Sequence, residues 1–402
     1  MAGEWQVATI GDLADIESGK GLPKSKYSDG GRFPIMGSNG LLGWCDYPLY
    51  QHPVITIGRV GACGEIHKTD GPAWVSDNAL VTMPKEDCDF RFLFYLLKST
   101  DFSPIIGGTT QPLITQTAVK RLEVHVPPLK EQQAIACILG ALDDKIELNR
   151  RMNRTLEAIA RALFKSWFVD FDPVRAKAER RGTGLSQPLA ALFPDSFEDS
   201  ELGEIPRGWR VGIIGDMADV FSGKRPDVRF PKASADANVP LWGGNGPMAF
   251  VSKPLIDYPI ILTGRVGTLG SIFRITSPCW PSDNTLILRL KTGQAFEYLF
   301  LQLRRIDFVS LNRGSTQPLL TQTDLKMQKL LLLPSGLLEY FHHITKSLFL
   351  RLDSADDESR NLAALRDALL PKLISGEIRI MDAERFVDGV DKVDIREGGH
   401  HV

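Results

Sequence analysis

The chain has 402 residues, 43% of them hydrophobic and 24% charged; that length suggests two to four domains, and the composition excludes a mostly disordered or collagen-like chain. Its longest apolar runs, such as Leu330–Leu333, fall far short of the roughly 20 residues that span a bilayer. The N-terminus has neither a basic start nor the apolar stretch of a secretion signal, so a folded cytoplasmic protein is expected.

In chain order, residues 1–126 are short β-rich runs broken by Gly and Pro, for example Pro53-Val54-Ile55-Thr56-Ile57. They carry 11 Lys/Arg against 14 Asp/Glu. Residues 127–169 change period and predict a long helix, and 170–205 read as a linker, with five acids and no base over 182–205. Residues 206–333 are again β-rich, with 16 Lys/Arg against 9 Asp/Glu, so the slightly negative net charge of -2 hides a basic second half. Residues 334–378 predict a second long helix, and 379–402 a C-terminal tail. The fold class is therefore α+β.

The chain repeats itself. Trp5, Ile10-Gly11-Asp12 and Ser18-Gly19-Lys20 recur as Trp209, Ile214-Gly215-Asp216 and Ser222-Gly223-Lys224, an offset of 204. A small insertion then shifts the offset to 206, at which Gly58-Arg59-Val60-Gly61 matches Gly264-Arg265-Val266-Gly267. Ser76-Asp77-Asn78 likewise matches Ser282-Asp283-Asn284, and Thr110-Gln111-Pro112-Leu113 matches Thr316-Gln317-Pro318-Leu319. So many matches in order define a tandem duplication.

Within the first predicted helix, Ile135, Ile138, Leu142, Met152, Leu156, Ile159 and Leu163 are spaced as a coiled-coil seam, with Lys145 and Asn149 in the remaining seam positions. The same register at +206 gives Phe341, Ile344, Leu348, Ala355, Leu362, Leu365 and Leu369, interrupted by Arg351 and Glu358. A helix from about Pro128 to Trp167 is roughly 60 Å long at ~1.5 Å per residue. Two such seams most simply pack on each other, antiparallel, with the β-rich modules at opposite ends about a pseudo-two-fold axis. The other arrangement has each helix packed on its own module.

Motifs for catalysis are missing. There is no phosphate loop, and Gly58-Arg-Val-Gly-Ala-Cys-Gly64 is G-x-x-G-x-x-G rather than a dinucleotide fingerprint. Phe171-Asp172-Pro173-Val174 lacks the amide and second proline of an adenine methyltransferase quartet. The five cysteines, Cys45, Cys63, Cys88, Cys137 and Cys279, include no C-x-x-C pair, which points to reduced thiols. His342 and His343 are helical neighbours pointing about 100° apart, and His400-His401 lie in a Gly-rich tail, so no metal site is expected.

Basic residues cluster in matched loops: Lys20, Lys24 and Lys26 in the first copy, Lys224, Arg225, Arg229 and Lys232 in the second. Such clusters suit phosphate contacts on DNA. Arg59 and Arg265, within Gly-Arg-Val-Gly, either hold a phosphate or brace a turn. Gln111 and Gln317 each follow a Gly/Ser/Thr stretch and either reach DNA or cap the next element, and Arg313, just before the second stretch, is a further DNA-binding candidate. Between these matched anchors, residues 21–36 share almost nothing with 225–242, and 65–75 little with 271–281. Two different half-sites demand common phosphate contacts and different base readers; surface drift produces the same pattern.

These residues resemble the DNA-specificity (S) subunit of type I restriction-modification enzymes. The resemblance rests on Leu202-Gly-Glu-Ile-Pro-Arg-Gly-Trp209 before Ile214-Gly-Asp216, on Thr110-Gln-Pro-Leu113, and on Val126-Pro-Pro-Leu-Lys-Glu-Gln132 leading into the helix. It covers roughly residues 5–380, and the second exit departs from it as Pro334-Ser-Gly-Leu-Leu-Glu-Tyr340. It implies two target recognition domains (1–126 and 206–333) alternating with two helical regions that form an antiparallel coiled coil. It also implies no catalysis and no cofactor in this chain; S-adenosylmethionine, ATP and Mg are expected on partners. Those partners are double-stranded DNA, two methyltransferase subunits and, in the full complex, restriction subunits, with no membrane. The function expected is selection of a bipartite, asymmetric DNA sequence. From another class, a bivalent scaffold binding protein or glycan through its two β-rich modules stays open.

Overall fold

The structure, a computed structural model, describes residues 4–108 and 111–380. It divides into two compact units: the chain up to Arg150 together with the chain from Asp356 onward, and Arg151–Ala355.

In the first unit, Ile55–Gly58 is one of the two inner strands of a four-stranded antiparallel sheet and is buried along its whole length. It pairs with Ala79–Pro84 and Ile66–Lys68, and Ala14–Ser18 adds to the far side of Ala79–Pro84. A second sheet sets Phe33–Gly37 antiparallel to Gly40–Cys45 and parallel to Trp74–Val75. The tight return between the first two uses Gly40 at φ +90°, a conformation that disfavours any residue with a Cβ. The module's first strand, Gln6–Thr9, pairs with its last, Glu123–Val126, so the module closes on itself. Helix Phe90–Ser99 starts where Asp89 accepts a hydrogen bond from the Phe92 amide at 2.8 Å, and it buries Phe92, Leu93, Leu96 and Leu97 in the core.

The second unit repeats this plan element by element. Its four-stranded sheet runs Ala218–Ser222, Thr285–Leu290, Ile260–Gly264, Ile272–Ile275, and its three-stranded sheet Gly246–Val251, Val239–Gly243, Trp280–Pro281. Arg210–Ile213 and Lys329–Leu332 close the module. The duplication read from the sequence is thus a duplication of fold.

Each module leads into a 40-residue helix, Leu129–Phe168 and Ser335–Ile374. Both begin immediately after a short segment in which a proline carbonyl, Pro128 or Pro334, accepts the first amide bonds. Within each unit the two helical segments run antiparallel. In the first unit Lys145 and Asn149 bond Glu358 (3.3 and 2.8 Å), and Asp143 bonds Arg366 (2.6 Å). In the second, Asn153 bonds the Leu352 carbonyl (3.3 Å), while Phe164 packs on Phe341.

Of the eighteen positions read as seam, five are exposed: Lys145, Ile159, Arg351, Glu358 and Leu365. Ile135, Phe341 and Ala355 are buried and Leu142, Met152, Leu156, Leu163, Leu348, Leu362 and Leu369 half-buried, but along the alternate line burial is deepest mostly one residue later than expected. Leu139, Ile146 and Ala160 are buried in the first helix and Thr345 in the second, with Asn153, Leu352, Ser359 and Arg366 half-buried, again at +206. Ile159 and Leu365, read as seam residues, are 48% and 49% exposed, whereas Ala160 is 1% exposed. Lys145, Arg351 and Glu358 are exposed, although Lys145 and Glu358 meet across the two helical segments, and Asn149 is buried. Ile138 and Ile344 are half-buried and pack into the cores that their helices share with the modules. Each helix therefore buries one face on its module and another on its partner segment, and a count of apolar residues mixes the two faces.

The segment 170–205, read as a linker, is folded. It contains helices Asp172–Ala178 and Gln187–Ala190 and the hairpin Phe197–Ser200/Gly203–Pro206. Val174, Leu189, Phe193 and Ile205 enter the core of the second unit, where Trp209 stacks against Phe168 and Phe171. The first two residues of the expected tail, Arg379 and Ile380, are packed within the first unit. Arg379 forms an ion pair with the 4%-exposed Glu131 at 2.8 Å and lies over the Trp5 ring. His400-His401 lie outside the described residues.

Candidate nucleic-acid interface

The repeated residues meet in one loop cluster per unit. In the first, Arg59 donates from its backbone to the Asn78 carbonyl (3.0 Å) and accepts from the Ile114 amide (2.9 Å), and the Gly61 amide reaches Pro112. In the second, Arg265 makes the equivalent bonds to Asn284 (2.8 Å) and Leu320 (2.9 Å), and Gly267 reaches Pro318. The Gly-Arg-Val-Gly turn is thereby stitched between the Ser-Asp-Asn turn and the Gln-Pro loop.

The two arginine side chains brace this cluster. Arg59 Nη1 approaches Ser18 Oγ (3.5 Å) and the Asp77 carbonyl (3.3 Å), and Arg265 Nη1 approaches Ser222 Oγ (3.3 Å). The same hydroxyls receive Gln116 Nε2 (2.8 Å) and Gln322 Nε2 (2.9 Å). Neither glutamine stands out in the sequence by its composition or motif. The signal that marks them is the repeat: Thr115-Gln116-Thr117 recurs as Thr321-Gln322-Thr323.

Glycines in these turns are required by the closeness of the backbone. A Cβ on Gly58 would stand 1.9 Å from the Ala62 carbonyl oxygen, and one on Gly264 2.0 Å from that of Thr268. Gly19 and Gly223 meet backbone oxygens at 2.2 Å in the same way. Gly58→Ala and Gly264→Ala are each expected to lower the stability of their own unit by about 1–3 kcal/mol, as overpacking does. Thermal unfolding of the single and double variants checks this.

Behind Gly19 and Gly223, Lys20 and Lys224 are held by their backbones. Their carbonyls accept from Trp74 Nε1 and Trp280 Nε1, both at 2.7 Å, leaving both side chains exposed. Lys24 and Lys26 stand exposed on a short 3-10 turn, Lys24–Lys26, in the same loop. Arg225 and Arg229 line a cleft of about 360 Å³ with Ser282, Asp283 and Asn284; Lys232 is exposed but does not line it. Gln111 and Gln317 are exposed, and Gln317 Nε2 lies near Gly267. Arg313 is engaged by Asp324 through bonds of 2.9 and 3.1 Å. With Thr321, it lowers the Asp324 carboxyl to about 2, so the pair stays ionised at neutral pH.

Elsewhere the ionisable groups have structural roles. Burial pushes the Cys88 and Cys279 thiols up to about 12, leaving them protonated at neutral pH. His342 is half-buried against Glu297, and His343 is exposed. Among the described residues no three His, Cys, Asp or Glu side chains group as metal ligands, and no helix is long and apolar enough to cross a membrane.

The family model for the type I restriction modification DNA specificity domain matches this chain twice, over residues 2–158 and 206–335. The chain belongs to that family. It is 30% identical over 376 residues to the type I restriction enzyme HindI specificity subunit of Haemophilus influenzae, covering 76% of this chain and 79% of that one. To the MjaIX specificity subunit of Methanocaldococcus jannaschii it is 25% identical over 426 residues, covering 94% of each. The crystal structure of a type I restriction-modification S subunit from M. genitalium shares the fold, with a TM-score of 0.67 at 20% identity over 92% of this chain and 96% of that one. A protein- or glycan-binding scaffold finds no support among these relatives.

Proposed function

We propose that this chain is the non-catalytic, cytoplasmic subunit that selects a bipartite, asymmetric DNA target for a type I restriction-modification complex. In this reading each module takes one half-site, and the long helices hold two methyltransferase subunits and, in the full complex, restriction subunits. S-adenosylmethionine, ATP and Mg²⁺ belong to those partners. The observation that supports it most is that the two loop clusters share their main backbone bonds and their Arg–Ser and Gln–Ser contacts while the loops beside them differ. A shared cluster suits a common backbone contact, and different loops suit different bases.

In the first module, Lys24 and Lys26 project from the divergent loop without a partner among the described residues. Lys24→Ala with Lys26→Ala is expected to weaken binding to every DNA sequence and to flatten the salt dependence by up to ~0.9 for each phosphate no longer neutralised. Mobility shifts on random DNA at several salt concentrations measure both. Exchange of residues 21–36 or 65–75 for those of another specificity subunit is expected to change the first half-site only. A change in the second half-site, or in neither, would falsify the one-module, one-half-site reading.

A further inference from the structure

The cleft in the second module has two walls of different kinds. One wall, Ser282-Asp283-Asn284, is a copy of Ser76-Asp77-Asn78. Backbone bonds from Ser282 to Trp242 (2.9 Å) and from Arg265 to Asn284 (2.8 Å) fix it in place. Residues that are the same in both modules cannot distinguish two half-sites, so this wall is scaffold. The other wall carries Arg225, Asp227 and Arg229, for which the first module has unrelated residues. That segment is pinned at both ends: Lys224 donates to Pro281 (3.0 Å), and Phe230 exchanges two backbone bonds with Phe250 (2.9 and 2.8 Å). Between the pins all three charged side chains are exposed, and none has an ion-pair partner among the described residues.

A surface that only grips phosphates gains nothing from a carboxylate, which repels them. Two arginines and a carboxylate lining one cleft instead match a base pair presenting acceptors on one base and an amino group on the other. In the major groove a G·C pair does so: guanine O6 and N7 accept from arginine, and cytosine N4 donates to a carboxylate. We propose that Arg225, Asp227 and Arg229 are the base-reading residues of the second module, and that they read a G·C pair, with Asp227 accepting from cytosine N4 and an arginine donating to guanine. This rests on the DNA-reading function proposed above.

The test uses the chain assembled with its methyltransferase partners, and methylated sites are read by sequencing. Wild type is compared with Asp227→Ala, Asp227→Asn and Arg229→Ala, after melting curves have confirmed that each variant is folded. The wild-type motif is expected to contain a G·C pair in the second half-site. Asp227→Ala and Arg229→Ala should relax that pair by roughly 10- to 100-fold in discrimination while leaving the first half-site intact. Asp227→Asn should move the preference toward adenine, whose N6 and N7 suit an amide. An unchanged motif in all three variants overturns the assignment. Asp227→Ala that tightens binding to every sequence equally also overturns it, because the carboxylate then faces only phosphate. Failure of the underlying function looks different: the wild-type complex itself would methylate no bipartite motif.

Discussion

Ala160→Asp is expected to destabilise the second unit by several kcal/mol, while Ile159→Asp, one residue earlier, stays within about 0.5 kcal/mol of wild type. Ala160 is 1% exposed, within the apolar core that includes Phe164 and Phe341, so a carboxylate there is buried among apolar groups. Ile159 is 48% exposed, so a carboxylate on its side remains in water. The pair separates two registers that differ by one residue. Chemical denaturation followed by far-UV circular dichroism reads the difference, and equal losses in the two variants would show that the seam lies elsewhere. Loss of methyltransferase binding should accompany Ala160→Asp and spare Ile159→Asp.

The second large effect concerns spacing. The chain passes from one unit to the other only between Arg150 and Arg151 and between Ala355 and Asp356, in both cases within an unbroken helix. One heptad inserted at both crossings keeps the seam in phase and lengthens each helix by ~10 Å at ~1.5 Å per residue. At ~3.4 Å per base pair, the gap between the two half-sites is expected to grow by about three base pairs, with the bases of both half-sites retained. Three base pairs also turn the duplex by roughly a quarter of its 10 to 10.5 base-pair repeat, so some affinity is lost as each module regains its groove. Sequencing of methylated sites decides the matter. An active insertion variant that keeps the original gap rules out the helices as the spacer.

The duplication, the two modules and the two helices are legible in the sequence because each leaves a long-range or periodic mark. Trp5 and Trp209, Arg59 and Arg265, and the +206 spacing of the helices need no knowledge of the fold to be noticed. The exact seam is not legible, for a physical reason. Its inner line includes Asn153, Ala160, Ser359 and Arg366, which no hydrophobic count selects. The apolar Ile138, Ile159 and Leu365 nearby draw the register one position early. Arg366 is tolerated because Asp143 meets it, and that carboxylate also receives Tyr95 at 2.7 Å. Residues 170–205 mislead for a related reason. Their acidic, Pro- and Gly-containing surface hides Val174, Leu189 and Phe193, which are apolar residues in short elements without a period. At the loop clusters the repeat points to the right neighbourhood, but the roles of Arg59 and Arg265 as braces depend on Ser18 and Ser222, which are more than 40 residues away in the chain.

The division of the chain also has a consequence for its synthesis. Residues 151–355 are contiguous, so that unit has every partner it needs before translation ends. The other unit does not. Glu131, almost fully buried in the finished protein, meets Arg379 only after 248 further residues have been made. Closing a loop of that length costs chain entropy that grows with the logarithm of its length. Early folding of the contiguous unit lowers that cost, because it holds Asn153 and Leu352 within 3.3 Å and so shortens the loop still to be closed. A nascent chain released before residue 356 would carry one finished unit and one with an open apolar face. Damage to the contiguous unit should therefore also slow completion of the other.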